Sequence, residues 1–251
     1  MLIEGRKAMK VVCIIQARVG SSRLPGKVLK EICGKTVLEH DIDRLKRVKN
    51  IDEIVIATTT EEKDIEIVNE AKRLGVNYFR GSENDVLSRY YLAAKENEAD
   101  VVVRVTSDCP CIDFNVTEEI ISFYLNNKDK YDYVSNTLDR TYPRGLDTEV
   151  FSFKVLEEAY LDAKEDFERE HVTPYIWDGN RYSTKQYKSN DDNSDLRLTL
   201  DTKEDLELLT EIYNELYEKN DNFSLEDILK LFANKPYLKE INSEIEQKKI
   251  K

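Results

Sequence analysis

Short, unbroken apolar runs alternate with segments whose apolar residues recur at helical spacing through the first half of this chain. Val11–Ile15, Glu53–Ala57, Val76–Phe79 and Val101–Val105 read as strands, the last interrupted by Arg104. Between them lie helical patterns. Thr36 followed by Glu39 has the form of a capping box opening a helix to about Val48, with Val37, Leu38, Ile42 and Leu45 on one face. Thr60 is placed to cap a second helix with Ile65, Val68, Ala71 and Leu74 inward and Gly75 as its stop. Asp85–Glu96 forms a third.

This rhythm predicts an α/β fold, three layers deep, with helices on both faces of a mostly parallel central sheet. After Asn115 the pattern changes. Val116–Asn126 and Glu165–Trp177 read as helices, the latter interrupted at Pro174. Tyr131–Val134 and Glu149–Phe153 read as strands of mixed direction, forming a small β lobe around residues 131–190. Leu196–Leu200 alternates like a strand and runs into a long helix ending near Glu218; Ser224 and Asp227 open another. Residues 9–240 are expected to form one domain. Residues 1–8, before Met9, read as an extension or cloning remnant, and 241–251 as a charged tail.

Composition narrows the partners. The 251 residues carry a net charge of -12, against which a broad nucleic-acid or membrane-binding surface is not expected. No apolar run approaches the roughly 20 residues of a membrane span, and no signal-peptide pattern opens the chain, so a cytoplasmic location is expected. Cys13, Cys33, Cys109 and Cys111 lack metal-ligand spacing and read as free thiols of a reducing compartment.

Within this acidic chain one basic loop stands out. The strand Val11–Ile15 opens into Gln16-Ala17-Arg18-Val19-Gly20-Ser21-Ser22-Arg23-Leu24-Pro25-Gly26-Lys27. Small residues let backbone N–H groups approach an anion, and Arg18, Arg23 and Lys27 together match a polyphosphate. A Gly/Ser turn with incidental basic residues has the same composition. What separates the two readings is position: ligands of open α/β sheets bind outside the carboxyl ends of the strands, where Thr106-Ser107-Asp108 also falls. Asp108 and Asp201 each follow a strand-like run. Each reads either as a turn or cap residue or as a Mg²⁺ ligand, since Mg²⁺ takes one or two carboxylates together with phosphate oxygens. Arg144-Gly145-Leu146-Asp147 with Glu149 reads as a hairpin or as a polyol contact. His171 is read as a packed helix-end residue, and Tyr90 and Tyr91 as core.

The segments IIQARVGSSRLPGKVL (14–29), FRGSENDVLSRYYLAAK (79–95), VRVTSDCPCID (103–113), PRGLDTEVF (143–151), EHVTPYI (170–176) and LRLTLDTKEDLELL (196–209) together resemble the cytidylyltransferase superfamily. That superfamily includes the 3-deoxy-manno-octulosonate and acylneuraminate cytidylyltransferases; the similarity is strongest to its spore-coat polysaccharide branch, SpsF. The resemblance implies a nucleotide-diphospho-sugar transferase-like, Rossmann-like fold and a Mg²⁺-dependent transfer of CMP from CTP to a sugar or sugar acid, in a homodimer. It implies that Ala17, Arg18, Gly20, Ser22, Arg23, Lys27, Arg80, Ser82, Thr106 and Ser107 bind nucleotide, with Arg23, Lys27 and Asp108 catalytic. Asp108 and Asp201 would hold the metal, and Arg144, Asp147 and Glu149 the sugar. Ser107 stands where the wider superfamily has Gly. Rival readings are a glycosyltransferase of the same fold, whose usual Asp-x-Asp motif is lacking at Ser107-Asp108-Cys109 although Asp191-Asp192 occurs in a polar loop, a molybdenum-cofactor type guanylyl transferase, which typically has Gly-Gly at Ala17-Arg18, and a catalytically silent nucleotide-binding subunit.

Overall fold

The computed structural model describes residues 9–247, so the expectation for residues 1–8 lies outside it. A seven-stranded sheet forms the centre, in the order β5 (Asn77–Gly81), β4 (Glu53–Thr59), β1 (Val11–Gln16), β6 (Val101–Thr106), β8 (Glu149–Ser152), β7 (Tyr133–Ser135), β9 (Thr184–Gln186). The first four are mutually parallel, β8 runs against both its neighbours, and β7 and β9 are parallel. The strands expected in a mixed lobe thus continue the central sheet. A separate two-stranded hairpin pairs β2 (Glu31–Ile32) with β3 (Lys35–Thr36).

Alternation along β1 explains the layers. Val11, Cys13 and Ile15 face a core built with α1 (Val37–Leu45), α2 (Ile65–Leu74) and α4 (Phe114–Asn127). Val12 and Ile14 face a second core built with α3 (Val86–Glu96), α5 (Phe153–Asp162), the short helix α7 (Pro174–Trp177) and Val172, which links α7 to the preceding short helix α6 (Asp166–His171). Because both faces are covered, the strand is continuously apolar. A third cluster joins α8 (Lys203–Leu216) and α9 (Leu225–Asn234) to Leu196, Leu198, Leu200 and the basic-loop residue Leu24.

Several local readings shift. Thr36 caps α1, accepting from Glu39 N at 3.0 Å, but the Glu39 carboxylate pairs with Arg73 rather than closing a capping box. α2 starts at Ile65 after a 3-10 turn at Glu62–Asp64, not at Thr60; Ile67 is buried in place of Ile65, which is exposed. Gly75 ends the helix in the left-handed region (φ 64°), as expected. Leu196–Leu200 is extended but belongs to no strand; its ladder contact is a bridge between Arg144 and Arg197. Asn242, in the segment expected as tail, is buried and donates to Arg197 O and Asp205 Oδ1.

Candidate active site

The carboxyl ends of β1 and β6 open into a cavity of about 800 Å³. The basic loop forms one wall. Gly26 closes it: φ is 65°, and its N–H donates to Val19 O at 3.0 Å. The fully buried Asp64 accepts from Val19 N at 2.7 Å, which ties the loop to the end of β4.

Asp108 follows β6, and its Oδ1 accepts from the Thr106 hydroxyl at 2.6 Å. Asp201 arrives from 93 positions further along the chain through backbone pairing: Leu200 N donates to Asp108 O at 2.8 Å, while Leu198 N donates to Arg144 O at 2.7 Å. Behind it, Asp205 caps α8 in a capping box with Thr202 and accepts from Asp201 N and Arg197 Nε, at 2.8 and 2.9 Å. The two aspartates therefore converge. Lys27 Nζ donates to Asp108 Oδ2 at 2.6 Å and to Asp201 Oδ1 at 2.8 Å. Arg23 Nη2 and Arg197 Nη2 each lie 2.8 Å from Asp201 Oδ2.

The electrostatics follow. Burial opposes the charge on Lys27, but the two carboxylates outweigh it and raise its pKa above the usual lysine value. Burial likewise opposes ionisation of Asp201, and Lys27, Arg197 and Arg23 outweigh it, holding the carboxyl below its ordinary range. Two hard carboxylate ligands within reach of one cationic centre, beside a cationic loop, suit a Mg²⁺ ion that takes its other ligands from phosphate and water. Among the described residues no group of three or more His, Cys, Asp or Glu side chains forms a metal site, so an all-protein cage is not offered.

Of the expected nucleotide residues, Ala17, Arg18, Gly20, Ser22, Arg23, Lys27, Thr106 and Ser107 line the cavity, as do Asp108 and Asp201. Arg80 and Ser82 are not among its lining residues. Arg80 donates to Thr59 O and Glu61 O, and the Ser82 hydroxyl accepts from Asp85 N. Arg144, Asp147 and Glu149 do not line it either. Asp147 pairs with Arg140, and Glu149 is buried against Arg104 and the Tyr133 hydroxyl. Through Arg104, which also donates to Gln16 Oε1 on the cavity wall, Glu149 supports the site from behind.

The sequence reading missed the opposite wall. Asp85, the N-cap of α3, holds Arg169 of α6 at 2.6 Å, and both line the cavity with Glu170 and His171. His171, taken as a packed residue, is half-buried there, and burial lowers its pKa. The retrievable signal was the Glu170–Ile176 motif itself. Tyr90 is core: fully buried, its hydroxyl donates to Ile14 O and Val105 O. Asp191 and Asp192 are exposed in a loop outside the cavity lining.

Comparison with known proteins bears on the chain as a whole. The profile of the family described as Cytidylyltransferase matches residues 12–242. The chain is 40% identical to the uncharacterized protein MJ1063 of Methanocaldococcus jannaschii, covering 96% of this chain and 97% of that one. It is 31% identical to the spore coat polysaccharide biosynthesis protein SpsF of Bacillus subtilis, over 90% and 95% of the two chains. A solved cytidylyltransferase from Leptospira borgpetersenii superposes with a TM-score of 0.88 at 36% identity, covering 92% of this chain and 97% of the other.

Proposed function

The chain belongs to the cytidylyltransferase family and is a CTP-using nucleotidyltransferase; from that premise we propose that it transfers CMP from CTP to a sugar or sugar acid, releasing pyrophosphate, in the assembly of a surface or spore-coat polysaccharide. The observation that carries this reading is the convergence of Lys27, Arg23, Asp108 and Asp201 at one end of a single cavity. The name of the Bacillus relative supports the polysaccharide context. The proposal extends to a cytoplasmic homodimer, on the family resemblance; among the described residues no helix is long and apolar enough to cross a membrane.

In this mechanism an acceptor oxygen attacks the α-phosphorus, and the bond to the bridging oxygen of pyrophosphate breaks. Negative charge grows on the transferring and leaving oxygens, and fixed cations aimed there lower the barrier. Arg23 and Lys27 serve the triphosphate end. Arg18 and the backbone around Ala17 and Gly20 cover the nucleoside, with Thr106 and Ser107 at the floor. Asp108 and Asp201 would hold Mg²⁺, which when bound would supply charge neutralisation at the phosphates and Lewis acidity toward the acceptor. The acceptor is assigned to the wall formed by Arg169, Glu170 and His171, opposite the loop, because that wall supplies both charge signs and a half-buried imidazole to a polar ligand.

The test is pyrophosphate release with Mg²⁺, comparing CTP, UTP, GTP and ATP over a panel of 2-keto-acid sugars and sugar phosphates. CTP-dependent release with one acceptor is expected. Asp108→Asn should lose about two decades of rate or more, the scale of one strong transition-state contact. An enzyme that binds none of the four nucleotides would overturn the reading.

A further inference from the structure

All four oxygens of the two candidate metal-binding carboxylates already accept from protein donors. Asp108 Oδ1 takes the Thr106 hydroxyl and Oδ2 takes Lys27 Nζ; Asp201 Oδ1 takes the same Nζ, and Oδ2 faces both Arg23 and Arg197. The ammonium thus sits between the two carboxylates, at the position from which a single cation reaches both. It is not a loose surface pair. The side chains of Lys27, Asp108 and Asp201 are 13%, 20% and 13% exposed. A divalent ion entering alone has to expel a buried ammonium from both of its carboxylate partners, which is costly for a desolvated charge.

We infer that Lys27 is a place-holder for the divalent cation: it keeps Asp108 and Asp201 together in the ligand-free protein and gives them up only when a triphosphate arrives to receive it. The exchange is balanced in charge. The metal takes the carboxylates while the phosphates take the ammonium and Arg23, which is also exposed enough to follow, at 29%. Free metal therefore binds poorly, and metal and nucleotide enter as one complex. Arg197 does not take part in the exchange. Its guanidinium is buried and fixed on Asp205 by two bonds, at 2.9 and 3.1 Å, so it holds Asp201 in place while the lysine leaves. This inference rests on the triphosphate reading above, but its first test does not need the nucleotide.

Mn²⁺ binding, followed by loss of the free-ion EPR signal, is measured without nucleotide for the wild-type protein, Lys27→Met, Lys27→Gln and the double variant Lys27→Met/Asp108→Asn. Both single variants should bind Mn²⁺ about tenfold or more tighter than wild type, the factor expected when the binding-competent state is about a tenth of the population or less. The gain should vanish in the double variant. Equal or weaker binding by folded Lys27→Met and Lys27→Gln overturns the inference. If neither variant folds, the wild-type chain decides by ¹H–¹⁵N spectra of its lysine ammonium groups. A protected ammonium signal that survives Mg²⁺ alone and moves with Mg²⁺ plus CTP supports the place-holder; a signal displaced by Mg²⁺ alone, or no protected signal, refutes it. Calorimetry with CTP separates the two readings: tighter Mn²⁺ binding by the variants without any CTP binding to wild type leaves the place-holder standing and removes the nucleotide assignment.

Discussion

At the scale of single residues, the site is an arrangement of opposite charges held at moderate burial, and this makes its energetics pH-dependent in a definite direction. Asp201 has a folded pKa below its ordinary value of 3.8. Its ionised form is therefore favoured by folding, and the stabilisation is fully present above that value and lost as pH falls through the lower, folded one. Lys27 has the opposite sign: its pKa is raised above 10.5, so its contribution is complete below that value and is lost only as pH climbs past the folded pKa. Both contributions are intact at neutral pH. Asp201→Asn should accordingly be less stable than wild type in urea at pH 7, and the difference should shrink at pH 3, below the ordinary carboxyl value, where the unfolded chain takes up the proton first and the stabilisation is being lost. A difference that persists undiminished at pH 3 would show that the charge of Asp201 is not what the surrounding cations stabilise.

At the scale of elements, the segment that delivers Asp201 depends on a glycine in the loop beside it. Gly145 has φ 98°, and a Cβ there would lie 2.5 Å from the carbonyl carbon and oxygen of Leu198. Gly145→Ala combines backbone strain of about 1–3 kcal/mol with an overpacking cost of about 1–3 kcal/mol. The contact is with main chain, so the 196–200 segment has to move, and Asp201 with it. A lower urea midpoint together with a raised CTP requirement is expected; a loss of less than about 1 kcal/mol would mean that the two segments separate easily. This explains why Arg144-Gly145-Leu146-Asp147 is legible as important and yet illegible in role. Its polar composition suits a sugar, but its glycine serves close approach of two backbones. Short-range signals transferred well: Gly75 as a stop, and Ser224 with Asp227 at a helix start, because a cap is completed within one turn. The alternation at Leu196–Leu200 misled because an extended segment becomes a strand only if a neighbour supplies a ladder, and here Arg144 and Asp108 offer isolated bonds instead. Likewise, the wall of Arg169 and His171 is set by the pairing of Arg169 with Asp85, 84 positions away, and periodicity carries no information about such a contact.

At the scale of the whole molecule, the cavity is where distant parts of the chain are joined. Lys27 and Asp201 are 174 positions apart, and the cluster behind Asp201 includes helices from the last quarter of the sequence. The basic loop, the turn after β6 and the α8 cap each belong to a different local unit, so what was legible as separate motifs becomes a site only when the third apolar cluster closes against the sheet. A ligand that spans these parts binds the folded chain alone and should stabilise all of it. At a hundredfold excess over Kd the linkage is about 2.7 kcal/mol, and for a chain of this size each kcal/mol moves Tm by about 2–4 °C. CTP with Mg²⁺ is therefore expected to raise Tm by about 5–10 °C in a single cooperative transition. Removing the metal with EDTA should leave a smaller shift, because Lys27 then has to satisfy carboxylates and phosphates at once. Asp108→Asn should lose most of the metal-dependent increment while retaining a shift with CTP alone. Equal shifts with and without the metal would separate the nucleotide from the two carboxylates, and the convergence of Asp108 and Asp201 would then be a structural ion-pair network rather than half of a metal–triphosphate site.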